Sequence, residues 1–165
     1  MKFESFVSDI LATIIGGGLL TFIFFILRER AYKTIELDGS WTYDQKTILS
    51  AYNPYKDMTV RFLILLSRDG NTIYGSAEKI YEKTADGTER TYEGKHRTLA
   101  KINGHIEKRY LSKDRICIHI NEFGEVREST SFQILESLDE NTLSGRFSST
   151  IANQQGLVKW IRNSS

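Results

Sequence analysis

Residues 58–83 read MTVRFLILLSRDGNTIYGSAEKIYEK and predict two antiparallel β-strands joined by a tight turn. Alternate positions of the first half are apolar, as on one buried face of a strand: Met58, Val60, Phe62, Ile64 and Leu66. Residues 68–71 read Arg-Asp-Gly-Asn, and Asp-Gly pairs favour the backbone angles of hairpin turns. The stretch therefore predicts strands over 58–67 and 71–83.

The same alternation continues to the end of the chain and is interrupted by turn signals. It predicts further strands over 40–44, 89–95, 99–111, 115–121, 126–138, 142–151 and 157–162. Short connections join neighbouring antiparallel strands, and a meander of this size forms either a sandwich or a closed barrel. Because closure removes exposed strand edges, we expect an all-β fold: a closed antiparallel meander β-barrel of about eight strands.

One face of each predicted strand is apolar and is expected to line the interior of the barrel. Beyond the hairpin, these positions are Ile102, Ile106, Ile116, Ile118, Ile120, Leu143, Phe147 and Ile151. Gly75, Gly104 and Gly145 share these faces. Such glycines either leave room inside the barrel or relieve crowding between strands.

Polar residues that continue these faces, together with Tyr43 of the first strand, are candidate ligand-binding residues: Tyr43, Lys79, Tyr81, Lys108, Tyr110, Thr130 and Ser149. A lysine inside a closed apolar barrel is costly unless it is paired or hydrated. The two lysines, with the tyrosines, could therefore meet the phosphates and bases of a small nucleotide. The alternative is that both lysines lie at the barrel mouth and extend into water.

Gly39-Ser40-Trp41 opens the first strand of the domain, and Arg162 lies in the last. This pairing resembles the lipocalin-type pattern, in which an arginine of the last strand packs on the tryptophan and plugs one end of the barrel. An arginine over a tryptophan ring is favourable by about 0.5–2 kcal/mol. We expect Trp41 and Arg162 to have this structural role.

The chain begins with an almost unbroken apolar run, Val7–Leu27, followed by Arg28, Arg30 and Lys33. A helix over this run is roughly 31 Å long, close to the hydrocarbon thickness of a bilayer. The alternatives are a buried core helix, which should show a polar stripe, and a cleaved signal peptide, which should end in small residues. We expect residues 1–30 to form one transmembrane helix with a basic flank, and residues 34–165 to form the barrel domain.

Positive charges that follow the apolar run place the barrel domain in the cytoplasm. The single cysteine, Cys117, agrees, because no disulfide can form within the chain. Inside the run, Ala12 and Gly16 are spaced as a small-xxx-small pair, and Gly17 and Gly18 follow. Such residues either form a helix self-association face or only add a tolerated kink.

Composition excludes several classes of function. The formal net charge is +1, so a nucleic-acid polymer is not an expected partner, although a small anion is possible. The histidines, His96, His105 and His119, lack the spacing of metal ligands. No serine lies in a nucleophile elbow. We expect neither an enzyme nor a cofactor or metal site.

The whole chain resembles the CD-NTase-associated transmembrane–β-barrel effectors of bacterial CBASS antiphage systems. The resemblance lies in the apolar N-terminus, the basic segment 28–30, the opening segment 37–43 (LDGSWTY) and the meander of strands. It implies a single-pass protein of the bacterial inner membrane whose barrel binds a cyclic dinucleotide. Binding would then drive homo-oligomerisation, and the assembled membrane segments would disrupt the lipid bilayer. Such effectors often carry two N-terminal helices, whereas this chain has one.

A second function remains open from the sequence. The chain could be a membrane-tethered, lipocalin-like binding or scaffold module for an apolar ligand or a partner protein, with a passive anchor. A passive anchor tolerates any 20 or so apolar residues, and three adjacent glycines, residues 16–18, are a poor choice for one. The triple glycine therefore favours the first function, a receptor whose barrel senses a cyclic nucleotide and whose helix takes part in the response.

Overall fold

The computed structural model describes residues 2–31, 35–109, 112–124 and 128–163. The N-terminal helix and the β-rich remainder are separate compact units, and each is described by itself.

The helical unit is one long α-helix, α1, Lys2–Ala31. Within it, Phe6–Leu27 has a mean hydropathy of 2.5 and no buried side chain, so this segment could span a membrane. The hydroxyls of Thr13 and Thr21 donate to the carbonyls of Asp9 and Gly17 one turn earlier. These polar side chains are therefore satisfied within the helix, as an apolar solvent requires.

The second unit is built of nine strands: β1 Gly39–Leu49, β2 Thr59–Asp69, β3 Thr72–Lys83, β4 Glu89–Thr91, β5 Leu99–Glu107, β6 Arg115–Phe123, β7 Glu128–Ser137, β8 Thr142–Ser149 and β9 Gln155–Arg162. All paired strands are antiparallel. The first strand, β1, pairs with both β2 and β9, and β2 pairs with β3, so eight strands close into a barrel. The short β4 pairs only with β3 and lies outside the closed wall. The predicted fold is confirmed.

Three predicted strands differ clearly from the observed ones in length, and the one expected over 99–111 ends at Glu107. The strand expected over 89–95 ends at Thr91, and a 3₁₀ turn follows at Gly94–His96. The strand expected over 40–44 continues to Leu49, because Gln45 and Thr47 extend its buried face with polar side chains that an apolar pattern does not include. Residues 110–111 and 126–127, at the ends of two predicted strands, lie outside the described residues.

The interior face of the barrel is apolar over most of its length. The predicted inward residues that lie within β2, β5 and β6 are buried, as are Leu143 and Phe147 of β8. Met58, just before β2, and Ile151, in the 3₁₀ turn after β8, are only partly buried, contrary to the prediction. A methyl group at Gly145 would lie 1.9 Å from the carbonyl oxygen of Ile134 on β7, and one at Gly104 would lie 2.4 Å from that of Cys117. These glycines therefore let neighbouring backbones approach closely, which is the crowding alternative.

The end of the barrel where β1 begins is closed by Trp41 and Arg162, and we call it the plugged end. The guanidinium carbon of Arg162 lies 4.7 Å from the centre of the Trp41 ring. Arg162 donates to the carbonyls of Asp38, at 2.8 Å, and Glu36. The Trp41 ring nitrogen donates to the carbonyl of Leu37 at 2.9 Å, so the segment before β1 is fixed across this end. The predicted plug is present.

Arg162→Ala should lower the free energy of unfolding by about 2 kcal/mol, because it removes a cation–π contact and charge-assisted hydrogen bonds together. Chemical denaturation of the full chain in detergent measures the change. The matched control is Lys159→Ala on the same strand, whose exposed side chain has no ion pair among the described residues. Equal stabilities of the two variants would show that Arg162 is not a plug.

Candidate functional site

The opposite end of the barrel, where β1 ends, has a polar interior, and we call it the polar end. Its inward-facing residues come from five strands: Gln45, Thr47, Lys79, Glu82, Glu122, Ser129, Ser131, Gln133 and Ser149. Gln45 and Thr47 occupy the last inward positions of β1, and the others lie near the same end because alternate strands run in opposite directions. Polar interior groups are thus concentrated at one end.

Tyr81 does not reach this interior, contrary to the prediction. Arg61 of β2 pairs with Tyr81, but the next residue, Phe62, pairs with Lys79, so β3 has one extra residue at this point. Such a β-bulge reverses the faces that follow it. Tyr81 therefore lies on the outer wall, with the guanidinium of Arg61 5.8 Å from its ring centre, and Glu82 takes the buried position.

Thr130 and Lys108 are also outside the polar end. The inward residues of β7 are Ser129, Ser131, Gln133 and Leu135, so Thr130 faces outward and donates to the side-chain oxygen of Asn121 at 2.9 Å. Lys108 is exposed beyond the end of β5, at the plugged end of the barrel. The two predicted lysines therefore lie at opposite ends. Tyr110 lies outside the described residues.

Tyr43, Lys79 and Ser149 are the predicted site residues that the structure does bring to the interior. The Tyr43 ring is fully buried and stacks on Phe62 and Trp160, with centroid distances of 4.7 and 5.1 Å. Burial raises the pKa of its hydroxyl, the charge of Glu122 adds to the rise, and Gln133 partly offsets it. The Tyr43 hydroxyl is therefore a neutral group that faces the polar end.

Four buried polar atoms of this interior have no hydrogen bond of normal geometry among the described residues: Tyr43 Oη, Gln45 Oε1, Ser131 Oγ and Gln133 Nε2. The Gln133 side chain nevertheless lies close enough to the Tyr43 hydroxyl to lower its pKa. Each such group costs about 1–3 kcal/mol when it is buried unpaired. The orientation of Gln133 is fixed, because its Oε1 accepts from the ring nitrogen of Trp160 at 2.9 Å. Its Nε2 is therefore held as a donor.

The charged groups of the polar end are one lysine and two carboxyls. Lys79 forms an ion pair with Glu82, and its Nζ lies 5.1 Å from the centre of the Tyr92 ring. Burial raises the pKa of Glu82, but its bonds to Lys79 outweigh that effect and hold the pKa below its ordinary value. Burial raises the pKa of Glu122, and the charge of Lys79 offsets only part of the rise.

The segment between β8 and β9 covers part of this end. The side chain of Gln154 is buried, and its Oε1 accepts from the hydroxyl of Thr47 at 3.4 Å. The carbonyl of Ala152 accepts from the backbone of Ala51 at 2.7 Å, which fixes the segment to the loop after β1. Ala152 and Asn153 have φ of 50° and 46°, the left-handed region that alanine rarely adopts. A strained, closed turn therefore borders the polar end.

Sequence reasoning missed seven residues of this site: Gln45, Thr47, Glu82, Glu122, Ser129, Ser131 and Gln133. Gln45, Thr47 and Glu122 lie beyond the ends of the strands predicted over 40–44 and 115–121. The β-bulge in β3 turns Glu82 inward. On β7, the apolar Phe132 and Ile134 favoured the face opposite to the three polar residues. The signal that could have found them is the polar alternation Ser129, Ser131, Gln133, which matches the neighbouring Ser149 of β8 across the pair Ser131–Ser149. Among the described residues, no group of His, Cys, Asp and Glu could hold a metal ion.

Ala12 and Gly16–Gly18 lie within α1. A methyl group on any of these three glycines would meet no atom within 4 Å. The stretch is therefore an open, small-residue surface in the middle of the apolar segment, and its role in self-association stays a prediction.

Comparison with known proteins supports the fold. No protein-family model and no curated protein matches the chain. The solved redesigned β-barrel mFAP1, bound to DFHBI, has a TM-score of 0.53 at 8% identity, covering 77% of this chain and 94% of that one. The redesigned barrel mFAP0, also bound to DFHBI, has a TM-score of 0.53 at 9% identity, covering 77% and 98%. At these identities the likeness establishes the fold alone.

Glu122→Gln should stabilise the protein relative to the wild type, and the difference in stability should grow as the pH rises. Below the ordinary pKa of 4.5, Glu122 is protonated in the folded and the unfolded protein and costs no stability. As the pH rises through its raised folded pKa, the buried charge becomes costly, and glutamine avoids this cost. The unfolding temperature of the full chain in detergent, measured from pH 4.5 to about pH 8, gives the difference.

The matched control is Glu140→Gln in the exposed turn between β7 and β8. This variant should follow the wild type at every pH. If the effect of Glu122→Gln did not change with pH, Glu122 would not be a buried carboxyl with a raised pKa.

Proposed function

We propose that this protein is a membrane-anchored receptor, whose barrel binds a small ligand through the polar end and whose helix carries the response to the membrane. The cluster of four buried, unpartnered polar atoms supports this proposal. Native proteins leave few buried polar atoms unpaired, and four that converge on one interior mark a place where a ligand can supply the missing partners.

The contrast between the two ends supports the same proposal. Trp41 and Arg162 close the plugged end through a cation–π contact and hydrogen bonds to the segment before β1. At the polar end, the Tyr43 hydroxyl and the Gln133 amide nitrogen are free to hydrogen-bond a ligand. The solved barrels of this fold described as bound to DFHBI are consistent with a ligand-binding role.

The finer proposal follows from the family resemblance. The ligand is a cyclic dinucleotide, and the protein is an antiphage effector with its barrel in the bacterial cytoplasm. Binding then favours oligomers joined through Ala12 and Gly16–Gly18, and the assembled helices disrupt the inner membrane. Tethering in two dimensions raises the effective concentration of the chains, so a modest ligand-dependent contact is enough to assemble them.

Tyr43→Phe tests the site. This variant removes a buried hydroxyl that has no partner among the described residues, so the ligand-free protein should be as stable as the wild type or more stable. Ligand affinity should fall about tenfold, because one hydrogen bond to the ligand is lost. The measurement is the thermal stability of the full chain in detergent, titrated with a panel of cyclic dinucleotides and nucleosides.

The matched control is Tyr74→Phe on the outer wall, where the ring is exposed. It should bind as the wild type does. If no compound stabilises the wild type, or if Tyr43→Phe binds as tightly as the wild type, the polar end is not the binding site.

An outer groove favours a second candidate function, the membrane-tethered binding or scaffold module for an apolar ligand or a partner. The groove has a volume of about 480 Å³ and is lined by residues of β1, β7, β8 and β9 that include Ile48, Leu49, Phe132, Ile134 and Leu157. A passive anchor could be exchanged for an unrelated membrane span without loss of activity. The receptor proposal predicts that the same exchange abolishes the response.

A further inference from the structure

We propose that the polar end receives an uncharged, hydrogen-bonding part of its ligand and excludes anionic groups. The inference rests on the proposed function and narrows the chemistry of its ligand. If the ligand is a cyclic dinucleotide, this selectivity would place a base inside the barrel and keep the phosphates outside.

The positive charge of the interior is already neutralised. Lys79 and Glu82 form an ion pair whose side chains are only 17% and 11% exposed. The more exposed Arg90 lies 3.6 Å from the other oxygen of Glu82, at the rim. A phosphate that approached Lys79 would have to displace Glu82, whose mostly buried carboxylate would then keep only the more distant Arg90 as a charged partner.

Glu122 adds a second barrier to anions. Its inward-facing side chain lies close enough to Tyr43 for its charge to affect the hydroxyl, and no ion pair involves it among the described residues. Above the raised pKa of Glu122, a phosphate beside it would place two like charges in a poorly hydrated interior, where their repulsion is stronger than in water. An uncharged group meets no such repulsion.

The unpartnered atoms are of mixed type, as an uncharged ligand requires. Gln133 Nε2 is a donor, Gln45 Oε1 is an acceptor, and the hydroxyls of Tyr43 and Ser131 can act as either. The phosphodiester of a cyclic dinucleotide offers acceptors alone and cannot donate to Gln45 Oε1. An amide, a polyol or a nitrogen heterocycle presents donors and acceptors together and can satisfy all four atoms.

Removing the carboxyls should convert the interior into an anion site. The probe is inorganic phosphate, and the protein is the full chain in detergent at constant ionic strength, set with chloride. Phosphate should not stabilise the wild type against heat. It should stabilise the double variant Glu82→Gln/Glu122→Gln, in which Lys79 is free, with an affinity at least about tenfold higher.

The matched control is Glu78→Gln, which releases Arg97 from an ion pair elsewhere on the barrel and should not respond to phosphate. Glu122→Gln alone breaks no ion pair and keeps the test valid if the double variant fails to fold, because it should show a smaller gain of the same sign. Equal stabilisation of the wild type and the variants would overturn the inference. A lack of response in every variant would also overturn it, because Lys79 would then not be the charge that the carboxyls suppress. Neither result would decide the receptor proposal, which is tested separately by the ligand titration and by Tyr43→Phe.

Discussion

Closure of the sheet is the constraint on which the rest of the barrel depends. Because β1 pairs with both β2 and β9, the eight-stranded wall has no free edge, and alternate side chains must enter a narrow interior. Apolar side chains fill most of that interior, and close approach at Gly145 brings β7 and β8 together. The two ends then differ: Arg162 over Trp41 completes one, whereas the other retains polar groups without partners.

The sequence predicts well those features that depend on local alternation. The hairpin of β2 and β3, the apolar faces of β5 and β6, and the pairing of Trp41 with Arg162 are all present in the structure. The interior of the polar end was predicted poorly, for two physical reasons. A bulge in β3 reverses the face of Tyr81, and no local signal marks the bulge. Both faces of β7 carry plausible core residues, so only pairing with its neighbours decides that Ser131 faces inward and Phe132 outward.

The helix and the polar end together explain the proposed function better than either does alone. A segment that could span a membrane would hold the barrel near a bilayer, but it does not say what the barrel detects. The buried groups around Gln133 supply that part of the proposal, since they leave hydrogen-bonding atoms of the interior unpaired among the described residues. The ion pair of Lys79 with Glu82 limits which part of a ligand can enter.

Fluorine NMR of the two tryptophans would show directly whether a ligand enters the polar end. The chain contains two tryptophans. Trp41 packs under Arg162 in the plug, and the ring nitrogen of Trp160 donates a hydrogen bond to Gln133. The full chain, labelled with 5-fluorotryptophan in detergent, would be titrated with cyclic dinucleotides and nucleosides. A ligand in the polar end should shift the Trp160 resonance and leave that of Trp41 in place. Binding that shifted only Trp41, or neither resonance, would contradict a site at the polar end.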